Sequence, residues 1–567
     1  MRIKQKELNL ADFILPLILL LYALMLINQG LTVTDTGYNY SNFMHFSTLD
    51  PMWKFSTFLS NALGAFFTLL PFGHTMLGLN FYTGLVKAGL AIMVYFFCIK
   101  SFQMNRILVF LAELMALGYC WCPTSVLYNY CTYFLFHLGA ILLCLAVKKE
   151  QKRYFFFAGV SLGINVLVRL PNLAEMCLIA ALWMLFLFKR ETLKTAGRST
   201  LLCVIGYAAG VLSILMVIFL VYGPKQYISG ITQLLAMPSE AEGYSLLGMI
   251  RGDMELYLYN VKWFVLAIPF LVVGIGLYCV KKEKAMLVKR MICAFLGCVM
   301  LLVFYQKGMF RFTYYNYSSI YPVGIAFLMV AGLCGLYAMF FGGKDYDFRM
   351  LGMVTGLIIL ITPLGSNNHL YSPMNNLFLV IPFVFECLRR WWIAMKNRVV
   401  EAVPILCAVF LVLAFVQGVL FGATFVFRDG ISGEKRDSQV TDNAVLAGMW
   451  TNSENATKLN GLNQFLMDNA LKGKNVILFD NVPAISFYMD LQPVLSTTWP
   501  DLDSFSAEKL REELQLVGKN MDENNKPLVI SGTIIDSSTM KRQMLFDFME
   551  KYEYQLVYSE EGMFVYQ

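Results

Sequence analysis

Aspartate 35 stands in "TDTGYNYSNF", Thr34 to Phe43, just past a long apolar run that ends near Gly30. A carboxylate there is partly desolvated by headgroups and neighbouring protein, and aimed at an acceptor hydroxyl or amine it acts as a general base. Gly37 is expected to allow a turn. Tyr38, Tyr40, Asn39 and Asn42 supply hydrogen-bond donors and flat faces suited to sugars. The plain alternative is a solvated connector. The letters D-T-G also open the catalytic loop of aspartic proteases, where a second carboxylate shares the proton. Here the preceding apolar part is long enough to span a bilayer and no second D-T-G exists, so that chemistry is excluded.

Cations that could meet an anion come next. In "NVLVRLPNLAEM", Arg169 falls at the end of an apolar run, with Pro171 and Asn172 making the turn. A guanidinium at that depth is costly without an anion. The partner is either an anionic ligand or Glu175. Lys307 and Arg311, in "KGMFRFTYYNY", interrupt loops otherwise poor in bases, and arginine donates two parallel hydrogen bonds to phosphate. Snorkelling to headgroups is the alternative. "GSNNHLYSPMNN" is dense in amides, and its Asn368 and His369 would suit hydroxyl recognition, or form an ordinary turn. Glu113 and His137 fall within apolar runs, where a proton relay or an internal bond within the bundle would each use them. The thirteen cysteines, from Cys98 to Cys407, lie in or beside apolar runs with no zinc-like spacing, so no metal site is expected from them.

The elements that must position these groups are mostly membrane helices. The chain has 567 residues, 58% hydrophobic and 15% charged, which indicates a polytopic membrane protein. Apolar segments long enough to span recur near residues 11–29, 77–99, 106–121, 124–147, 154–170, 173–188 and 199–222, then near 261–280, 289–305, 318–341, 350–364, 371–388 and 403–425. That is about thirteen spans. The basic strings "RIKQK", "KKEQKR", "KRETLK", "KKEK" and "RRWWIAMKNR" fall in alternate loops, so the N-terminus is expected in the cytoplasm. An odd number of spans then puts "TDTGYNYSNF" and everything after Phe427 outside. The first outer loop, 31–76, contains an amphipathic stretch, "MWKFSTFLSNALGAFFTLLPFG", expected to lie along the interface. A second outer segment begins at the Gly-Pro break of 223–224.

Residues 1–427 are therefore expected to form a membrane domain and 428–567 a soluble one. In the latter "NVILFD" and "KPLVISG" read as strands, "PVLST" as a further strand, and "VPAISFYMD", "SAEKLREELQLVG" and "MKRQMLFDFMEKY" as helices. "YQLVYSEEGMFVYQ" reads as a closing strand pair. The fold class expected is a polytopic α-helical membrane protein with a small extracytoplasmic C-terminal α/β domain. That domain holds 13 bases against 21 acids, which argues against nucleic acid as a partner.

This arrangement, an acid just past helix one followed by surface helices, many spans and an outward C-terminal domain, resembles the GT-C class of integral-membrane glycosyltransferases. That class includes the protein O-mannosyltransferases, the lipid A aminoarabinose transferase and the oligosaccharyltransferases. At residue level the resemblance rests on "TDTGY", which looks like the acid-Gly-Tyr element of the class's first loop. The resemblance implies a donor sugar carried on polyprenyl phosphate, and a glycan, lipid or protein acceptor at the outer face of a cell membrane, as in a bacterial envelope. It assigns Asp35 as base, with Arg169, Lys307 or Arg311 on the leaving phosphate. Tyr38, Asn39, Asn42, Asn172, Asn368 and His369 would bind substrate. Many members carry a second acid beside the first, and Thr36 stands there in this chain; Asp50 would serve only if the loop folds back. A divalent cation as cofactor is thereby left open. A transporter or flippase of a lipid-linked or small polar substrate, and a non-catalytic assembly or sensor protein, are the other readings.

Overall fold

The computed structural model describes residues 10–236, 246–280, 286–366, 368–502, 505–522 and 525–567. The basic strings at the N-terminus and at 281–284, which entered the charge count, lie outside the described residues. Among the described residues eight helices are long and apolar enough to cross a membrane: Met76–Ser101, Leu127–Lys149, Leu170–Lys189, Leu193–Tyr222, Leu247–Cys279, Met286–Gln306, Tyr317–Phe341 and Val399–Thr424. Five shorter helices occupy the remaining apolar runs: Ala11–Ala23, Arg106–Tyr119, Lys152–Val166, Tyr346–Ile361 and Val380–Met395.

Local chemistry explains the departures from the expected spans. The helix begun at Arg106 stops at Tyr119, directly before "CWCP" (120–123), where Pro123 has no backbone N–H to continue it. The segment expected at 371–388 is displaced: a single turn at Tyr371–Met374 is followed by the true helix, Val380–Met395. The helix expected to begin near 261 already starts at Leu246 and runs 34 residues. Leu170–Ile179 is a 3-10 helix with a proline in its first turn, and becomes α-helical only at Ala180.

Helices Lys152–Val166 and Leu193–Tyr222 approach backbone to backbone. Each carries a pair of glycines four residues apart, and a Cβ on Gly163 would fall 2.1 Å from the Tyr207 carbonyl oxygen. Small residues allow this contact where lipid supplies no hydrophobic drive between helices.

The C-terminal domain is built on one five-stranded sheet of order β2-β1-β3-β5-β4. Its strands are β1 (Asn475–Phe479), β2 (Gln492–Pro493), β3 (Leu528–Ser531), β4 (Leu556–Glu560) and β5 (Met563–Tyr566). β1 pairs in parallel with β2 and β3, and the β4–β5 hairpin is antiparallel. The strand expected at "PVLST" is only the two residues of β2, and helix Ser453–Asp468 lies upstream of the stretch read for elements. Strand alternation splits the core. Ile477, Phe479 and Val529 face helices Ala507–Asn520 and Met540–Lys551, while Val476, Leu478 and Ile530 face the other way. That second face joins Leu31, Tyr40, Phe43, Leu79 and Leu127 in a single buried cluster. The sheet thus packs directly onto the first loop and the ends of the membrane helices.

The first loop folds as helices Asp35–Met44, Pro51–Ser56 and Phe58–Thr68. The chain before it is stitched to the domain. Gly30 N donates to Trp450 O at 2.7 Å, Ala484 N to Val33 O at 3.0 Å and the Tyr488 hydroxyl to Thr32 O at 2.7 Å.

Candidate active site

"TDTGYNYSNF" is a helix and not a connector. Asp35 is its first residue, where a carboxylate suits the positive end of the helix dipole. The sequence favours helix weakly; burial of Tyr40 and Phe43 supplies about 1.5–3 kcal/mol each. Gly37 corrects the expectation of a turn. It lies within the helix, and a Cβ there would stand 1.9 Å from Ala484 Cα. Glycine is required because the loop helix meets the domain backbone there.

Asp35 keeps its carboxylate partly exposed. Oδ2 stands 3.8 Å from Arg428 Nη1, and Arg428 Nη1 donates to Thr34 Oγ1 at 3.0 Å. Arg428 lies in the strap that leaves the last membrane helix, with φ of 51°, a conformation uncommon for a side-chain-bearing residue. Its guanidinium sits 5.3 Å from the Phe427 ring centroid. Next to it, Asp429 is fully buried and accepts from Thr451 Oγ1, Asn455 Nδ2 and Arg436 Nε. These bonds hold the strap, and with it Arg428, beside the first loop.

Tyr38 reaches the domain. Its ring meets Trp53 at 6.0 Å and Trp499 at 6.2 Å, both edge-on. Burial pushes its phenol far above the ordinary range, against hydrogen bonds with Asn42 and Thr497. Asn39 is spent within its own helix, donating to Asp35 O at 2.9 Å. Asp50 caps helix Pro51–Ser56 through Met52 N and faces Lys509 at 3.7 Å, so its partners differ from those of Asp35.

Arg169 is half-buried beside a narrow crevice lined by Thr132, Asn172, Glu175, Thr362 and Asn376. Its Nε donates to Asn172 Oδ1 at 2.9 Å, while Glu175 accepts from Asn165 at 2.6 Å. Arg169 and Glu175 make no direct hydrogen bond or ion pair within 4 Å among the described residues; Arg169 lines the crevice with its Nε held by Asn172. Tyr128 lies within electrostatic range of both Arg169 and Asp35.

A second cavity, of about 120 Å³, runs under the start of the loop helix. Thr36, Asn80, Lys87, Trp121, Thr124, Phe425 and Phe427 line it, and Lys87 Nζ donates to Cys120 O at 3.0 Å. Lys87 and Arg428 escaped the sequence reading. Lys87 interrupts "GLVKAGLAIM", and the cost of a charge within a span is the signal that singles it out.

Several expected residues fall elsewhere or have other partners. Lys307 and Arg311 are exposed and make no side-chain hydrogen bond or ion pair among the described residues. His369 Nδ1 pairs with Asp253 Oδ1 at 3.2 Å, joining its loop to helix Leu246–Cys279, and Asn368 is exposed. The ring nitrogens of His137 meet Tyr133 O and Leu379 N, which accounts for it structurally. Among the described residues no three His, Cys, Asp or Glu side chains converge on one point. Asp35, with Thr34 and a cation as neighbours, is not a donor set that fits a divalent ion.

No protein-family model and no curated protein matches the chain. Among solved structures, an oligosaccharyltransferase from Archaeoglobus fulgidus, in complex with zinc and sulfate, aligns over 97% of this chain and 72% of its own, with a TM-score of 0.47 and 14% identity. ArnT from Cupriavidus metallidurans in the apo state aligns over 98% of this chain and 96% of its own, with a TM-score of 0.42 and 10% identity.

Proposed function

We propose that this chain is a membrane glycosyltransferase that moves a sugar from a polyprenyl-phosphate donor to an acceptor at the outer face. The observation that carries this reading is the partly exposed Asp35 carboxylate, held on a domain-braced helix 3.8 Å from Arg428 and above the Lys87 cavity.

In the proposed reaction the acceptor's O–H or N–H gives its proton to Asp35. The freed lone pair attacks the anomeric carbon, and the bond from that carbon to the phosphate oxygen breaks with its electrons on the phosphate. Attack from the side opposite the leaving group inverts the centre. The leaving group is already acidic, so the useful contribution is positive charge where negative charge develops. Arg428 is the nearest cation to Asp35, Arg169 lies, like Asp35, within electrostatic range of Tyr128, and Lys87 lies within the membrane helices, where a lipid-borne phosphate has access. Lys307 and Arg311 have less support, being exposed and without any contact to this group.

The test is Asp35→Asn. In membranes supplied with polyprenyl-phosphate sugar, transfer is expected to be lost while expression and thermal midpoint stay at wild-type level. Unchanged transfer would remove Asp35 from the mechanism.

A further inference from the structure

A third space, of about 350 Å³, opens between the loop that follows helix Met286–Gln306 and the strap after helix Val399–Thr424. Tyr315, Asn316, Tyr317, Phe425, Phe427 and Arg428 wall it. It shares Phe425 and Phe427 with the Lys87 cavity, so the two spaces meet at the residues flanking Arg428. The Lys87 cavity reaches helices Met76–Ser101, Arg106–Tyr119 and Val399–Thr424, whereas this one is bounded by loop and strap.

The walls are pinned. Ser432 N donates to Tyr314 O at 2.9 Å and Ser432 Oγ to Thr424 Oγ1 at 2.8 Å, which clamps strap to loop. Tyr317 stacks on Trp121 at 4.4 Å with planes 9° apart, and lies 5.8 Å from Phe427. Tyr315, in contrast, is 56% exposed and has no ring partner among the described residues. Asn316 uses its side-chain oxygen to cap Ser318 N and leaves its amide nitrogen without a hydrogen bond among the described residues.

We infer that this pocket takes a saccharide, and that the acceptor is a carbohydrate presented from the outer side; the acceptor part rests on the reading of Asp35 as base. Aromatic faces with few, fixed polar groups suit a ligand that has apolar C–H faces and hydroxyl edges. Asn316 donates to an oxygen at the edge, and the Arg428 end of the pocket puts that edge next to Asp35. A donor sugar reaches Asp35 from the membrane side through the Lys87 cavity, which leaves the loop-walled pocket for the acceptor.

The experiment uses full-length protein in phospholipid nanodiscs, since alkyl-glycoside detergents would present a competing sugar. Saturation-transfer NMR is recorded with maltotriose, mannotriose and chitotriose, and with an acetylated Ser/Thr peptide as contrast. At least one trisaccharide is expected to bind at millimolar concentration. Tyr315→Ala should weaken it about 2- to 12-fold, the worth of one aromatic contact, and Asp35→Asn should leave it intact. Binding by the peptide alone, by none of the saccharides, or undiminished in Tyr315→Ala overturns the proposal. Failure of the transferase reading shows separately, as wild-type transfer by Asp35→Asn membranes with saccharide binding preserved.

Discussion

Arg428 Nη1 lies 3.8 Å from Asp35 Oδ2 although 393 positions separate them in the chain. The strap puts the cation there through the buried Asp429 and its three side-chain donors. If Arg428 stabilises the departing phosphate, Arg428→Ala should lower kcat for transfer by about 10²–10³, the usual cost of removing such a donor. Arg428→Lys should recover only part, because an ammonium keeps the charge and loses the planar fork. Initial rates at saturating donor decide it. Equal activity in all three proteins would assign the pair to structure alone.

Gly37 is where loop and domain backbones meet, so the smallest added side chain already tests the contact. Gly37→Ala must push the Asp35–Met44 helix off Ala484, at about 1–3 kcal/mol for overpacking a filled site. We expect a lower thermal midpoint, faster proteolysis of the C-terminal domain and reduced transfer together. Wild-type proteolysis would show that the two backbones do not depend on each other.

What was legible in the sequence follows from where the information lies. The β4–β5 hairpin, β1, β3 and the long apolar helices are written in local alternation or in long apolar runs, and the structure has them. Helix Asp35–Met44 is not, because Gly37, Asn39, Ser41 and Asn42 disfavour helix and only the domain's packing on Tyr40 and Phe43 makes it one. Arg428 is the first base after the last span. Its partner is visible only once the strap is folded back. Arg169 is legible as a costly cation, but that its Nε meets Asn172, while Glu175 accepts from Asn165, depends on the folded turn.

Two carboxyls of the C-terminal domain give a pH test. Burial pushes Glu513 above its ordinary 4.5, against bonds from Ser496, and burial pushes Asp501 above its ordinary 3.8, with Asp480 adding to the effect. A raised acid holds its proton longer in the folded state than in the unfolded one. Its contribution to stability is therefore full below the ordinary value and is lost as pH rises through the folded value. Compared with Glu513→Gln/Asp501→Asn, the wild-type domain should lose thermal midpoint as pH climbs from 4.5 toward neutrality. Melting curves of both proteins across that window check the sign. A difference that stays constant with pH would mean neither carboxyl titrates in it.

The paired glycines of helices Lys152–Val166 and Leu193–Tyr222 offer a comparison within one helix pair. Gly163 has the Tyr207 carbonyl in the place a Cβ would need, whereas Gly197 has nothing within 4 Å. Gly163→Leu should force the helices apart, and because the Leu170–Ile179 turn follows directly on Lys152–Val166, the shift carries Arg169 with it. Loss of folded yield or a markedly lower thermal midpoint is expected, with transfer impaired in any protein that survives. Gly197→Ala should instead gain about 0.4–1 kcal/mol by restricting the unfolded chain at a helical site. Thermal midpoints of the two variants, measured in the same lipid, should move in opposite directions. A Gly163→Leu midpoint at or above wild type would show that the helices are not held at the separation their glycines allow.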